Sequence, residues 1–439
     1  MMTDAGANDP ISAEAIIDAT QKLLGATFAG DAKPHLDALV SALATVTGID
    51  LYPSCYKEDL STQTGFGKAI SPLEAGRCAW DIERTRIFMA GVYQAIQDVL
   101  QRQDRVELLY AGAGPFGLLL VPLAPLFPAD RLRVTLLDIH EASLEALQKV
   151  ISLLKVSDRV AHIVCADATV WTPPEGESYD ILLSETMKHM LQQEPQVKIF
   201  SHLQQFLKPN GMLIPSSVQL DAWLHSPESG GNIHLGELFT LDRSMAAALN
   251  AGDDSCLMGS LLVPDCGEDM TDLKVTTFIR IYGDHCLQEN QSQLTLPRYK
   301  RNIRPVPGCT LDFRYLLNDF PDFEFSYRSR PATEELPLPD STEVGELGVY
   351  HLKRIWSKAA HAKVGKLDET VRSREWLLDQ LVFELLGAPM EKALATIYQS
   401  RRFQDVERWF RETSEEEISA HRVSAINARV MDALAALRG

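Results

Sequence analysis

Val106-Glu107-Leu108-Leu109-Tyr110-Ala111-Gly112-Ala113-Gly114-Pro115-Phe116-Gly117 runs from an apolar segment straight into a glycine-rich turn. The apolar run predicts a buried strand over 106–110, and the glycines let the backbone behind it bend sharply and approach a ligand. Such a G-x-G-x-x-G turn fits a dinucleotide or a nucleoside-methionine cofactor alike. Further strands are expected over 133–138, 160–165 and 181–183, with helices over 117–126, 143–154 and 196–206. Met212-Leu213-Ile214-Pro215 then follows the turn Lys208-Pro209-Asn210-Gly211. This alternation implies an α/β fold, a Rossmann-like, doubly wound and mostly parallel sheet covered by helices on both faces.

Upstream, residues 11–50 carry helical periodicity, 51–72 is turn-rich and reads as a loop or lid, and one long helix is expected over 74–100. After Pro215 the texture changes to β-like runs at 218–224, 274–282 and 310–315. Between them lies a looser segment, 230–254, with helical character around 241–249. Helices are expected again at 376–386, 390–398, 403–410 and 423–437. The resulting division is an N-terminal helical or lid region (1–73), a cofactor domain (74–216), a β-rich, barrel-like domain (217–345) and a helical C-terminal region (346–439).

Composition bounds the function. With 45% hydrophobic and 23% charged residues, the 439-residue chain is of ordinary globular type. A net charge of -18 argues against a nucleic-acid or anionic-membrane partner, whose phosphates would be repelled. Seven cysteines without a C-x-x-C pair read as reduced thiols of a cytoplasmic protein, not as a disulfide frame or zinc site. No signal peptide, membrane span or metal site is expected.

Three acidic elements carry candidate chemistry. Asp138 ends the second expected strand, where an acid can hydrogen-bond a ribose diol. The alternative is a strand-end or capping residue. Asp167-Ala168 follows the third strand, where a carboxylate and a neighbouring amide can meet adenine; a turn aspartate is the plainer alternative. After the fourth strand comes Ser184-Glu185-Thr186-Met187-Lys188-His189-Met190-Leu191-Gln192-Gln193-Glu194. Two carboxylates outside a strand end can grip a guanidinium bidentately, or can be exposed loop acids paired with cations such as Lys188. His189 reads as a structural or surface histidine.

The segment 106–215 resembles a class I S-adenosylmethionine-dependent methyltransferase domain. Ser184-Glu185-Thr186-Met187 with Glu194 nine positions after Glu185, Asp81-Ile82-Glu83-Arg84-Thr85, and Pro209-x-Gly211-x-x-Ile214-Pro215 are similar to the protein arginine methyltransferase branch. The resemblance implies S-adenosyl-L-methionine as cofactor, held by Arg84, Gly112, Gly114, Gly117, Asp138, Asp167 and Ala168. Arg84 would take the methionine carboxylate, and Met187 would pack near the sulfur and methyl group. Glu185 and Glu194 would be catalytic, clamping a guanidinium acceptor. A homodimer, with 230–254 as a possible arm, is implied as well.

The chain departs from that family at several positions. Tyr110 stands where most methyltransferases have an acid, and Lys188 where the arginine enzymes usually have glycine. No His-Trp dipeptide occurs; the corresponding region is Ser292-Gln293-Leu294-Thr295-Leu296-Pro297. The acceptor class is therefore a cationic small molecule, such as free arginine or a guanidino metabolite, or a protein arginine. The alternatives are a small-molecule O- or N-methyltransferase on the same scaffold, an NAD-dependent oxidoreductase, and a non-catalytic cofactor-sensing protein.

Overall fold

The computed structural model describes residues 11–52, 60–227 and 229–330, together with 352, 383, 390–400 and 403–413. Its centre is a five-stranded parallel sheet of order β5-β4-β3-β6-β7. The strands are β3 (Val106–Ala111), β4 (Leu132–Asp138), β5 (Val160–Cys165), β6 (Tyr179–Ser184) and β7 (Leu207–Ile214). From β3 the chain winds to one side through β4 and β5, then returns to β3's other flank as β6. The strand order therefore reverses between β3 and β6, where Ala111 pairs with Ser184 at the strand ends. An open α/β sheet offers its ligand crevice at that point.

N-terminal to the sheet lie α1 (Ala13–Gly25) and α2 (Ala29–Thr47), the hairpin β1 (Thr62–Thr64) and β2 (Gly67–Ala69), and α3 (Pro72–Cys78). Helix α4 (Ile82–Leu100) leads into β3. The single helix expected over 74–100 is thus two. Ser71 and Glu74 form a capping box that starts α3 behind Pro72, and Asp81 caps a fresh start at Ile82. The helix expected over 117–126 is instead a 3₁₀ stretch, Val121–Leu126. Pro122 and Pro125 lack the N–H groups that an α-helical ladder needs there. Helices α5 (Glu141–Leu154) and α6 (Gln196–Leu203) complete the winding.

Beyond β7 the sheets are antiparallel. Strands β8 (Ser217–His225), β9 (Asn232–Asp242), β11 (Asp272–Tyr282) and β12 (His285–Leu287) form one in the order β12-β11-β8-β9, with β13 (Arg298–Lys300) on β11. Strands β10 (Met258–Leu262), β14 (Thr310–Leu316) and β15 (Asp322–Tyr327) form a second. The segment 230–254 is more regular than its sequence texture: β9 pairs along β8, and α7 (Arg243–Asn250) packs on α6 of the same chain. Arg243 holds it there, donating to the carbonyls of Pro209 and Lys208 at 3.0 Å each and to that of Gly211.

In the C-terminal region, α8 (Met390–Gln399) and α9 (Phe403–Thr413) lie where helices were expected at 390–398 and 403–410. The helices expected over 376–386 and 423–437 lie outside the described residues, Phe383 excepted.

Candidate active site

The turn after β3 and the loop after β6 meet in the crevice. Gly112 and Gly114 adopt φ of 72° and 63°, the left-handed region that glycine enters at least cost. At Gly112 the demand is also steric, since a Cβ would lie 2.3 Å from Thr186 Cγ2 on the opposing loop. Asp138 knits the turn from behind. Its Oδ2 accepts from the Gly114 N–H at 2.8 Å and its Oδ1 from the His140 N–H at 2.8 Å. Asp167 Oδ1 takes the N–H and hydroxyl of Thr169, at 2.8 and 2.7 Å, so this acid also makes the turn that was its plainer alternative. Gly112, Gly114, Asp138, Asp167 and Ala168 all line one cavity with Arg84, Glu185 and Glu194.

Two expected site residues stand elsewhere. Gly117 does not line the cavity; a Cβ there would meet Val121 at 2.6 Å and Leu147 at 2.7 Å, so this glycine serves packing under α5. Met187 is buried in the core, and Thr186 is the loop residue that lines the cavity in its place. Tyr110, at the family's acidic position, is buried in the lining, and burial pushes its phenol well up.

Arg84 comes from the first turn of α4. Asp81 sets that turn by accepting the Arg84 N–H on Oδ1 at 3.4 Å. Its Oδ2 receives the Ser292 hydroxyl at 2.7 Å and the Gln293 N–H at 2.8 Å, both from the β-rich half. Burial pushes the Asp81 carboxyl up to about 6, against the opposing pull of Arg84 and these donors. The Arg84 guanidinium forms an ion pair with Glu185 Oε2. Glu185 is itself buried, and its Oε1 finds no hydrogen-bond partner among the described residues. A buried carboxylate oxygen without a partner is unusual in a folded protein, and Glu185 is among the residues that line the cavity.

Glu194 ends the loop. Burial pushes its carboxyl up to about 7, while Arg84, Lys188 and Lys68 pull it down and Glu74 adds to the rise. The loop is held in a costly shape: Met190, Leu191 and Gln193 all have φ between 54° and 63°. Each such non-glycine residue costs about 1–3 kcal/mol and persists only where its surroundings enforce it. Those surroundings are visible. Gln196 Oε1 accepts from the Thr186 N–H at 2.8 Å and hydroxyl at 3.0 Å, and its amide donates to the Ser184 carbonyl at 3.3 Å. Tyr315 donates its hydroxyl to the Leu191 carbonyl at 2.7 Å, and Thr277 accepts from the Met190 N–H at 3.3 Å. The Gln193 N–H reaches the Pro321 carbonyl at 2.8 Å. Gln196, Tyr315 and Thr277 are thus supporting residues that sequence reading missed, whereas Ser292 opens the 292–297 segment that it had singled out. Only Gln196, two residues beyond Glu194, carried a local signal.

His189 is half-buried and outside the lining. Burial, with Arg298 and Lys188 nearby, pushes it down to about 3 and keeps it neutral. Among the described residues no cluster of His, Cys, Asp and Glu can hold a metal ion, and no helix is long and apolar enough to cross a membrane.

A family model described as a methyltransferase domain matches residues 109–211, which contain Gly112 and Gly114 of the turn, Asp138, Asp167 and the glutamate loop. No curated protein matches the chain. Among solved structures, the chain is similar to one from the Trypanosoma brucei PRMT1 enzyme-prozyme heterotetrameric complex with AdoHcy. The identity is 13%, the TM-score 0.39, and the match covers 58% of this chain and 92% of the other.

Proposed function

From the premise that this chain carries an S-adenosylmethionine-dependent methyltransferase domain, we propose that it methylates a guanidinium nitrogen held between Glu185 and Glu194. One observation carries the reading: both carboxylates line the same cavity as the Gly112 turn, Asp138 and Asp167. In this reading Asp138 accepts from the ribose hydroxyls, Asp167 from the adenine amine, and Arg84 pairs with the methionine carboxylate. Bound S-adenosylmethionine supplies a methyl group already activated on a sulfonium, so the protein's task is chiefly proximity and orientation.

The two glutamates perform that task. A planar guanidinium presents donors in a fork that a carboxylate matches, and Glu185 Oε1 is a buried acceptor without a hydrogen-bond partner among the described residues. Glu194, with a carboxyl near 7, grips the cation when ionised and takes the proton that the nitrogen sheds as its lone pair becomes bonded. The proposal includes a cytoplasmic homodimer; the six described cysteines are all unbridged, as a reducing compartment would leave them.

A second reading, methylation of an oxygen or amine on a small metabolite, draws on the Arg84–Glu185 pair, which already neutralises one clamp carboxylate. A methyl-transfer screen with labelled cofactor, read by mass spectrometry, separates the two. Methylated guanidines are expected; products only from hydroxyl or simple amine acceptors would install the second reading.

A further inference from the structure

The hairpin of β1 and β2 is a strap that ties the two halves of the chain together at the cavity. Thr62 hydrogen-bonds His140 Nε2 at 3.2 Å, on the side of the parallel sheet. Gln63 donates to the Asp319 carbonyl at 2.6 Å, on the side of the β-rich half. The turn between the strands is stapled internally: Thr64 Oγ1 donates to the Gly67 carbonyl at 2.7 Å and accepts the Phe66 N–H at 3.1 Å. The Phe66 ring in turn lies 4.8 Å from Lys198 Nζ of α6, a cation–π contact. Thr64, Lys68, Ala69 and Ile70 of this strap line the cavity together with Glu185 and Glu194.

The strap rests directly on the backbone that carries Glu194. Gly67 has a φ of 132°, and a Cβ on it would lie 2.8 Å from the Gln193 carbonyl oxygen, 2.9 Å from the Glu194 carbonyl carbon and 3.0 Å from the Pro195 nitrogen. The Lys68 N–H donates to the Gln193 carbonyl at 2.6 Å. The Gln193 N–H donates to the Pro321 carbonyl at 2.8 Å, and the Glu194 N–H to the Gln192 carbonyl at 2.7 Å. The N–H groups of 193 and 194 and the carbonyl of 193 are therefore all taken within the chain. An extended peptide docks by pairing with such groups along an open edge. An arginine side chain spans only a few bonds, so a peptide's main chain would have to run close beside the clamp. The strap and the β14–β15 connection already lie there.

We infer that the acceptor is a free, low-molecular-weight guanidine and that the strap excludes arginine within a polypeptide. The inference rests on the guanidinium reading above and narrows it by size. Gly67 becomes a specificity determinant, because only a residue without a Cβ lets the strap lie flat on the Glu194 backbone.

The test compares free L-arginine with a glycine-rich peptide that carries one central arginine. The full chain is used, as wild type, Gly67→Ala and Gln63→Ala. Wild type is expected to favour the free amino acid by about a hundredfold or more in kcat/KM, since the peptide meets a steric block. That ratio should fall about tenfold in Gly67→Ala, whose Cβ lifts the strap, and about fivefold in Gln63→Ala, the scale of one hydrogen bond. Gln63 is exposed, so its variant decides the matter if Gly67→Ala fails to fold. Peptide methylated as well as free arginine, or a ratio unmoved by the substitutions, overturns the inference and leaves the guanidinium reading intact. Calorimetry with S-adenosylhomocysteine supplies a second readout. Weakened binding in the variants with the ratio unchanged would assign the strap to the methyl donor and also overturn the inference. Binding of S-adenosylhomocysteine without methylation of any guanidine overturns the guanidinium reading, and this inference with it.

Discussion

Ser292, between β12 and β13, donates its hydroxyl to Asp81 at 2.7 Å across 211 positions of chain. The same aspartate caps α4 by accepting the N–H of Arg84, whose guanidinium pairs with Glu185. The β-rich half therefore anchors the helix turn from which Arg84 enters the cavity. A buried hydrogen bond to an ionisable group is worth about 1.5–3 kcal/mol. Ser292→Ala should lose stability on that scale and weaken S-adenosylhomocysteine binding several-fold. Denaturant unfolding and calorimetry measure the two, and unaltered affinity would detach the turn from the site.

Arg84 and Glu185 should behave as a coupled pair. Arg84→Met leaves a buried carboxylate without its cation, a loss of about 3–5 kcal/mol in such settings. Arg84→Met/Glu185→Leu removes both charges and should regain much of that stability while methyl transfer stays abolished. Strictly additive losses in urea titrations would contradict the coupling.

Glu194 gives a pH signature. Its carboxyl is raised to about 7 from an ordinary 4.5, so between those values the folded protein holds a proton that the unfolded chain has released. Stability contributed by this group accordingly falls as pH rises through that window. Activity should move the opposite way, since only the ionised form grips a cation. The rising limb of kcat/KM near pH 7 should vanish in Glu194→Gln, and the variant's melting temperature relative to wild type should improve from pH 5 to pH 8. A variant that keeps the limb would clear Glu194 of the role.

Gly112→Ala combines a left-handed backbone with a Cβ 2.3 Å from Thr186 Cγ2. S-adenosylhomocysteine affinity should drop by at least tenfold. Thr186→Ser in the same chain removes the clashing methyl and should recover part of the loss, the backbone strain remaining. No recovery would leave φ as the whole cause.

The expected helix over 117–126 failed because the periodicity outweighed Pro122 and Pro125, whose missing donors favour a 3₁₀ path. The long helix over 74–100 failed for the converse reason: Asp81 reads as one polar residue in an amphipathic run until it is seen capping a second start. The segment 230–254 looked loose because β9 has mixed polarity along both faces, and only its pairing with β8 orders it. By contrast, β3, β4, β5 and β6 were legible because each is a short run of largely apolar residues bounded by turn residues. Strand β7 instead begins at Leu207 and takes in Lys208-Pro209-Asn210-Gly211, read from sequence as a turn, across an irregularity in its pairing with β6.

Sequence alone determined the alternation of strands and helices, the glycine turn behind β3 and the order of the acidic elements, because each is written in neighbouring residues through periodicity, φ preference or cap chemistry. Tertiary structure alone decided the partners: Arg84 with Glu185, Asp81 with Ser292, Tyr315 with Leu191, and the strap from Thr62 to Ala69 over the glutamate loop. Such pairings depend on strand order and on how two sheets meet across hundreds of positions. No local pattern encodes that distance, so the charges that face Glu194 emerge only once the chain is folded.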